Sequence, residues 1–249
     1  MSEEHSNRPD QAAAGAGHGP RAPSTLAATT VIDDTPVESL LRARRTVARG
    51  RTLFRLGDPF AELFVVRSGL FKTRVALAAG RDQITGFHMP GDILGLDAVA
   101  GDVHRSDAVS LDDSEVGVLD FASLTSLARR SPQAHEWLCR VMGLKIAQLQ
   151  SATLMLGRMR ADERVASFLA TLAHRHAERG MDSQDLVLQM TRVELGSHLG
   201  LTLETVSRCL SRLREEGIVE LHLRKVRILD LGELARVADG RRTFGPTSA

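Results

Sequence analysis

The chain has 249 residues, with 32 Lys and Arg against 31 Asp and Glu, so its formal charge of +1 excludes a polycationic or polyanionic tail. Any affinity for nucleic acid must come from where charges sit rather than from their sum. A hydrophobic content of 43% suits a globular chain with a real core, and no apolar run reaches the roughly 18 residues of a membrane helix. The two cysteines, Cys139 and Cys209, show no CxxC or Cys/His spacing, which argues against a disulfide framework or structural zinc. Met1–Pro20 has neither the basic start nor the apolar stretch of a secretory signal. A soluble, cytoplasmic protein with no membrane partner is expected.

Residues 1–36 mix Gly, Ala, Ser and Pro with scattered charge and no period, which predicts a disordered arm. A short helix around Val37–Arg45 is expected to lead into the folded part. Beyond it come short runs of strand character: Thr52–Phe54, Leu63–Val66, Leu70–Leu77, Gln83–His88, Arg105–Leu111 and Glu115–Leu119. Gly57-Asp58-Pro59, Ser68-Gly69 and Ala79-Gly80-Arg81-Asp82 punctuate them. Many short strands with glycine-marked turns predict an antiparallel barrel or sandwich, a sensor-sized domain over 37–131.

After Phe121 the period becomes helical. Pro132 suits a first helical turn, and no proline interrupts the chain from there to Met159. Leu138, Val141, Met142, Ile146, Leu149, Thr153 and Leu156 recur at close to 3.5 spacing along this helix. At 1.5 Å per residue it is roughly 40 Å long, more than a small barrel covers. Burial in one larger core is an alternative, but a seam with the same helix of a second copy is the simpler reading. The span 132–159 is therefore expected to be a dimerisation helix. A second helix, Asp162–His176, carries Val165, Phe168, Leu169 and Leu172 on one face, and Leu186–Gln189 reads as a short strand.

Thr191–Gly217 is the most informative stretch. Arg192–Leu199 and Leu203–Glu216 read as two helices joined by Gly200-Leu201-Thr202, with Leu195, Leu199, Val206, Leu210 and Leu213 turned inward. That is the pattern of a helix-turn-helix. Ile218–Leu221 and Val226–Leu229 alternate as a hairpin around Arg224-Lys225, which makes it winged and gives a DNA-binding domain over 160–240 with a tail over 241–249. Between Thr191 and Arg227 there are seven basic residues against five Glu, the bases lying mainly on the second helix and wing. Glu204, Ser207 and Arg208 share one face of that helix. A Glu accepts from cytosine N4 and an Arg grips guanine O6 and N7, so these three are the expected base readers. Thr191, Arg192, Thr202, Thr205 and Arg212 suit phosphate contacts that fix register. The bland alternative for Glu204 and Arg208 is a surface ion pair.

These residues carry a resemblance. Gln83-Ile84-Thr85-Gly86-Phe87-His88-Met89-Pro90-Gly91-Asp92, continuing to Gly95-Leu96-Asp97-Ala98, is similar to the barrel motif of the Crp/Fnr family of transcription regulators. Met190-Thr191-Arg192, Leu199-Gly200-Leu201-Thr202 and Glu204-Thr205-Val206-Ser207-Arg208 resemble the DNA-binding module of its Fnr branch. The similarity covers about residues 46–240. It implies an α+β fold: an N-terminal antiparallel β-roll of cyclic-nucleotide-binding type, a long dimerisation helix and a C-terminal winged helix-turn-helix. It also implies a homodimer on palindromic double-stranded DNA with TTGAT half-sites, acting as an activator. A contact with RNA polymerase would fall at the hairpin tip Gly80-Arg81, where Arg81 replaces the family's acidic residue.

The signal is less legible. Fnr-type clusters are held by four cysteine thiolates. No cysteine lies in the N-terminal arm and Gly117 stands at the barrel position, so no [4Fe–4S] cluster is expected. Of the cyclic-AMP site, Arg105-Ser106 resembles the phosphate-binding pair, but the ribose Glu is replaced near Leu96 and the adenine-facing pair by Leu149-Gln150. Arg105 and Ser106 are at most a vestigial ligand site. Haem or nitric-oxide sensing, with His88, His104, His135 or His174 as axial ligand, stays open as a lesser alternative, as do a small-ligand-responsive regulator of the family and a ligand-binding module acting through a protein partner. No nucleophile–base motif, metal cluster or phosphate loop points to an enzyme, and no metal site is expected.

Overall fold

The computed structural model describes residues 37–77 and 82–244. The arm over 1–36, the hairpin tip with Gly80 and Arg81, and 245–249 of the tail lie outside the described residues.

The first part contains strands β1 (Leu41–Val47), β2 (Thr52–Phe54), β3 (Glu62–Ser68), β4 (Phe71–Ala76), β5 (Asp82–His88), β6 (Ile93–Leu94), β7 (Asp107–Ser110) and β8 (Ser114–Asp120). They form two four-stranded antiparallel sheets, ordered β1-β8-β3-β6 and β2-β7-β4-β5. β3 reads as an unbroken apolar run because both of its faces are covered. Phe64 and Val66 join Phe54, Phe71 and Val116 in one core. Leu63 and Val65 join Leu119, Leu124, Trp137 and Val141 in another, against the helices that follow.

The helix expected around Val37–Arg45 is replaced by a single 3-10 turn, Glu38–Leu40, and by β1, which pairs antiparallel with β8 from Leu41 to Val47. Leu, Arg and Ala favour a helix locally. Pairing with β8 overrides that preference, and the exposed Arg42, Arg44 and Arg45 then charge a sheet edge, which discourages further strand addition.

Helix α1 (Phe121–Ala128) starts at Asp120, whose carboxylate accepts from the Ser123 amide. Helix α2 (Pro132–Arg158) is 27 residues long, capped by Ser131 and opened by Pro132. Its two ends are anchored differently. Trp137 and Val141 pack on the β-roll, with Leu138 against the same cluster, while Met155 enters the C-terminal core. Leu138 and Val141 therefore leave the expected seam: Val141 is 2% exposed within one chain. Ile146, Leu149 and Leu156 remain 57, 55 and 42% exposed.

The C-terminal part contains α3 (Ala161–Ala177), β9 (Asp185–Val187), α4 (Arg192–Leu199), α5 (Leu203–Glu215), β10 (Val219–His222), β11 (Lys225–Ile228) and α6 (Leu231–Ala238). The wing is a three-stranded sheet, β10-β11-β9, because β9 pairs with β11. α6 corresponds to nothing anticipated from the sequence. It packs on α3 and sends Leu234, Val237 and Ala238 into the C-terminal core.

Candidate nucleic-acid interface

The turn between α4 and α5 depends on two glycines. Gly200 ends α4 in the left-handed region with φ +65°, which costs a residue without Cβ little. A Cβ on Gly196 would stand 2.6 Å from the Leu201 carbonyl oxygen, so only glycine lets the chain fold back this closely. Leu195, Leu199, Val206, Leu210 and Leu213 are all buried, as their spacing predicts. Thr191 and Glu194 close a capping box on α4, and Thr202 caps α5 by accepting from the Thr205 amide.

α5 then presents its first two turns outward. Glu204 and Arg208 are exposed and Ser207 is half-buried. The Glu204 carboxyl is held below the ordinary value by its own backbone amide and by the Thr202 hydroxyl, with Arg208 adding to the effect. It remains an ionised acceptor. Arg208 is steadied by a 3.3 Å hydrogen bond from Nη2 to Thr205 Oγ1, and exposed Arg192 reaches across from α4 to donate to Ser207 Oγ at 3.2 Å. One face therefore carries an acceptor, a hydroxyl and two guanidinium groups. Thr191 and Thr202 lie at the edge of this face, their hydroxyls engaged in capping, so a phosphate there meets helix N-termini.

Arg212 does not join the face. Its Nη1 donates to Asp162 Oδ2 at 2.6 Å, and its guanidinium lies 5.8 Å from the Phe244 ring centroid. An internal carboxylate on α3 has captured a residue whose helical position alone suggested a phosphate contact. At the wing, the turn is Leu223-Arg224 rather than Arg224-Lys225. Leu223 is fully exposed with φ +53°, a strained tip that the sequence reading missed.

The module is seated on the β-roll. Ser197 of α4 accepts from the Ile84 amide at 3.0 Å and donates to the Asp82 carbonyl at 2.8 Å. Lys72 pairs with Glu194 at 2.6 Å, both 16% exposed. Burial works against the Glu194 charge, but hydrogen bonds from Lys72 and Thr191 outweigh it and hold the carboxyl below its ordinary range. None of these seat residues was legible, since their partners lie more than a hundred positions apart.

The chain matches the Crp-like helix-turn-helix domain over residues 163–237 and the cyclic nucleotide-binding domain over residues 44–131. It is 40% identical to the transcriptional regulatory protein btr of Bordetella pertussis over 201 residues, 81% of this chain and 83% of that protein. With the transcriptional activator protein anr of Pseudomonas aeruginosa it shares 38% identity over 212 residues, covering 85% and 87% of the two. The structure of FixK2 from Bradyrhizobium japonicum is similar at a TM-score of 0.70 and 30% identity, over 78% of this chain and 96% of that one. The chain belongs to the Crp/Fnr family of transcription regulators. It is a DNA-binding regulator of Crp/Fnr type, and its described helices include none long and apolar enough to cross a membrane.

Within this Crp/Fnr fold the sensor positions have their own chemistry. Ser106 Oγ and the Arg105 amide both donate to Asp97 Oδ2, at 2.8 and 2.9 Å. A carboxylate thus already holds the donors that a cyclic nucleotide's phosphate would need, while the Arg105 side chain is exposed. A [4Fe–4S] cluster does not fit the donors either. Two thiols stand against four ligands, Cys139 is exposed on α2, and burial pushes the Cys209 thiol up to about 12. Among the described residues no group of three His, Cys, Asp or Glu could hold a metal ion.

Each of the four candidate haem ligands already has a contact of its own. His88 is buried and contacts Thr73 Oγ1 at 3.0 Å, and His104 stacks on Phe54 at 3.7 Å. His135 lies against Cys139, and His174 is 3.7 Å from Glu178. The cavity beside His88, about 140 Å³, is benzene-sized rather than porphyrin-sized.

Proposed function

We propose that this regulator acts as a homodimer that reads inverted TTGAT-type half-sites through Glu204, Ser207 and Arg208, without an iron–sulfur cluster. The observation that carries the reading is the outward face of α5, where an ionised Glu204 and an exposed Arg208 flank Ser207. The carboxylate accepts from a cytosine amine and the guanidinium donates twice to a guanine, while Arg192 and the capped starts of α4 and α5 take the backbone phosphates.

Dimerisation is supported by the exposed stripe on α2. Met142, Ile146, Leu149, Thr153 and Leu156 follow one another three and four residues apart, and the same spacing runs back to Cys139 and His135. That is a heptad seam on which Ile146, Leu149, Thr153 and Leu156 stay exposed in the single chain. Half-sites read in successive major grooves, about 34 Å apart, require two modules held in this way.

Two substitutions separate reading from positioning. Arg208→Ala is expected to lose roughly 1–3 kcal/mol of discrimination at one guanine of each half-site. Arg192→Ala should weaken all sequences alike and lower the salt dependence by about one counterion. Gel shifts on matched, single-mismatch and random duplexes check both, run in air and under nitrogen with an absorption spectrum of each sample. Equal loss on specific and random DNA for Arg208→Ala would refute the base-reading role. A visible iron–sulfur band with oxygen-dependent affinity would refute the cluster-free reading.

A further inference from the structure

The junction between the β-roll and the DNA-binding module holds a cavity of about 140 Å³, walled by β5, α2, α3 and α4. Most of the wall is apolar: Phe87, Met155, Phe168, Leu172 and Leu199 face it. The engineered apolar cavities that accept benzene have about this volume, near 150 Å³. Arg105 and Ser106 do not line it, so it is separate from the vestigial nucleotide position.

Its charged groups do not balance. Asp92 is consumed by an ion pair with Arg175 and accepts from the Met89 amide. Burial lowers the pKa of both His88 and His198, which are neutral at pH 7. Lys145 remains. It lines the cavity from α2 and forms no ion pair or hydrogen bond with any described residue. Desolvation lowers its pKa by more than the attraction of Asp92 and Asp97 raises it, with Arg175 adding to the lowering. A half-buried cation with no carboxylate in hydrogen-bond reach, at the end of an apolar, ring-sized space, favours an anion that joins it.

We propose that this cavity is an effector site for a small aromatic monocarboxylate, its ring against Phe87 and Phe168 and its carboxylate on Lys145. One negative charge neutralises the site, and a carboxylate on an ammonium gives a short, charge-assisted hydrogen bond. Because His198 and Leu199 end α4 beside the helix-turn-helix turn, the occupant touches the sensor, the long helix and the DNA-binding module at once.

The test is calorimetric titration of the full-length protein with benzoate, and with benzamide as its neutral isostere, in the absence of DNA. Benzoate is expected to bind with benzamide at least about 10-fold weaker, since only the former is charged. Lys145→Gln should weaken benzoate by a similar factor while leaving benzamide unchanged. Ala152→Phe, which fills the cavity and keeps Lys145, should abolish both; Ala152 lines the same space. Thermal melts confirm that each variant is folded, and either substitution alone suffices. No binding of benzoate up to about 10 mM, the weak limit for so small a ligand, would overturn the proposal. Equal affinities for benzoate and benzamide, or undiminished benzoate binding by either folded variant, would do the same. Binding is read without DNA, so the result is independent of which half-sites the protein recognises.

Discussion

An Ile146→Asp variant is expected to fold, to sediment as a monomer, and to lose at least about 100-fold in affinity for a palindromic site. Ile146 is 57% exposed in the single chain, so the substitution removes little that holds the protomer together. In a parallel pair of α2 helices it places two carboxylates across the seam, and burying unpaired like charges there is strongly unfavourable. Losing the dimer turns the second half-site from an intramolecular contact into an independent binding event. That step accounts for a factor of about 10²–10⁴ without any change in α5.

Cys139 gives the same seam a positive test. It is exposed and stands seven residues before Ile146, the repeat of one heptad. Mild oxidation should cross-link two wild-type chains through Cys139, whereas Ile146→Asp should remain uncross-linked. A variant that still sediments as a dimer would move the interface off this face of α2.

The seam also marks where sequence pattern stops being informative. The 3.5 spacing along α2 is real, but the helix is apolar on more than one side. Leu138 and Val141 obey nearly the same count as Met142 and Ile146, yet they face the β-roll because Leu63, Val65 and Leu119 lie there. A period identifies a stripe; what the stripe faces is settled by residues distant in sequence. The helix-turn-helix was readable because its determinants are local: two capping threonines, a left-handed Gly200 and inward apolar positions within 25 residues.

β1 failed for the opposite reason. Its local preference for helix lost to pairing with β8, some seventy residues away. α6 was there to be seen, since Asp230 caps it three residues before Glu233 and Leu231, Leu234 and Ala238 mark one face. In the site, Glu204, Ser207 and Arg208 emerged because helical spacing alone puts them together. Arg212 was misplaced because Asp162, its captor, lies fifty residues upstream. Asp97 under Ser106, Lys72 under Glu194 and Lys145 at the cavity are relations between elements, and no local motif announces them.

The junction that seats α4 should weaken in acid, and His88 sets the window. Burial above all, then Lys145, with smaller contributions from Arg175 and His198 and opposed by Asp92, lowers its pKa to about 3. In the unfolded chain the same imidazole takes up a proton near its ordinary value of about 6.5. Between these values the unfolded state holds one more proton than the folded one, so stability is complete above pH 6.5 and falls as pH drops towards 3. Well below pH 6.5 one proton corresponds to about a factor of ten in the folding constant per pH unit, which gives roughly 15-fold between pH 6.5 and 5. His198, also lowered by burial, adds in the same direction. His88→Gln keeps a hydrogen-bonding group beside Thr73 but does not titrate. Urea unfolding at a series of pH values should therefore show the wild type losing stability faster than His88→Gln from pH 7 to 5, the two curves converging or crossing. Curves that fall in parallel over that range would mean that His88 takes up its proton in the folded protein, and that the junction does not hold it neutral.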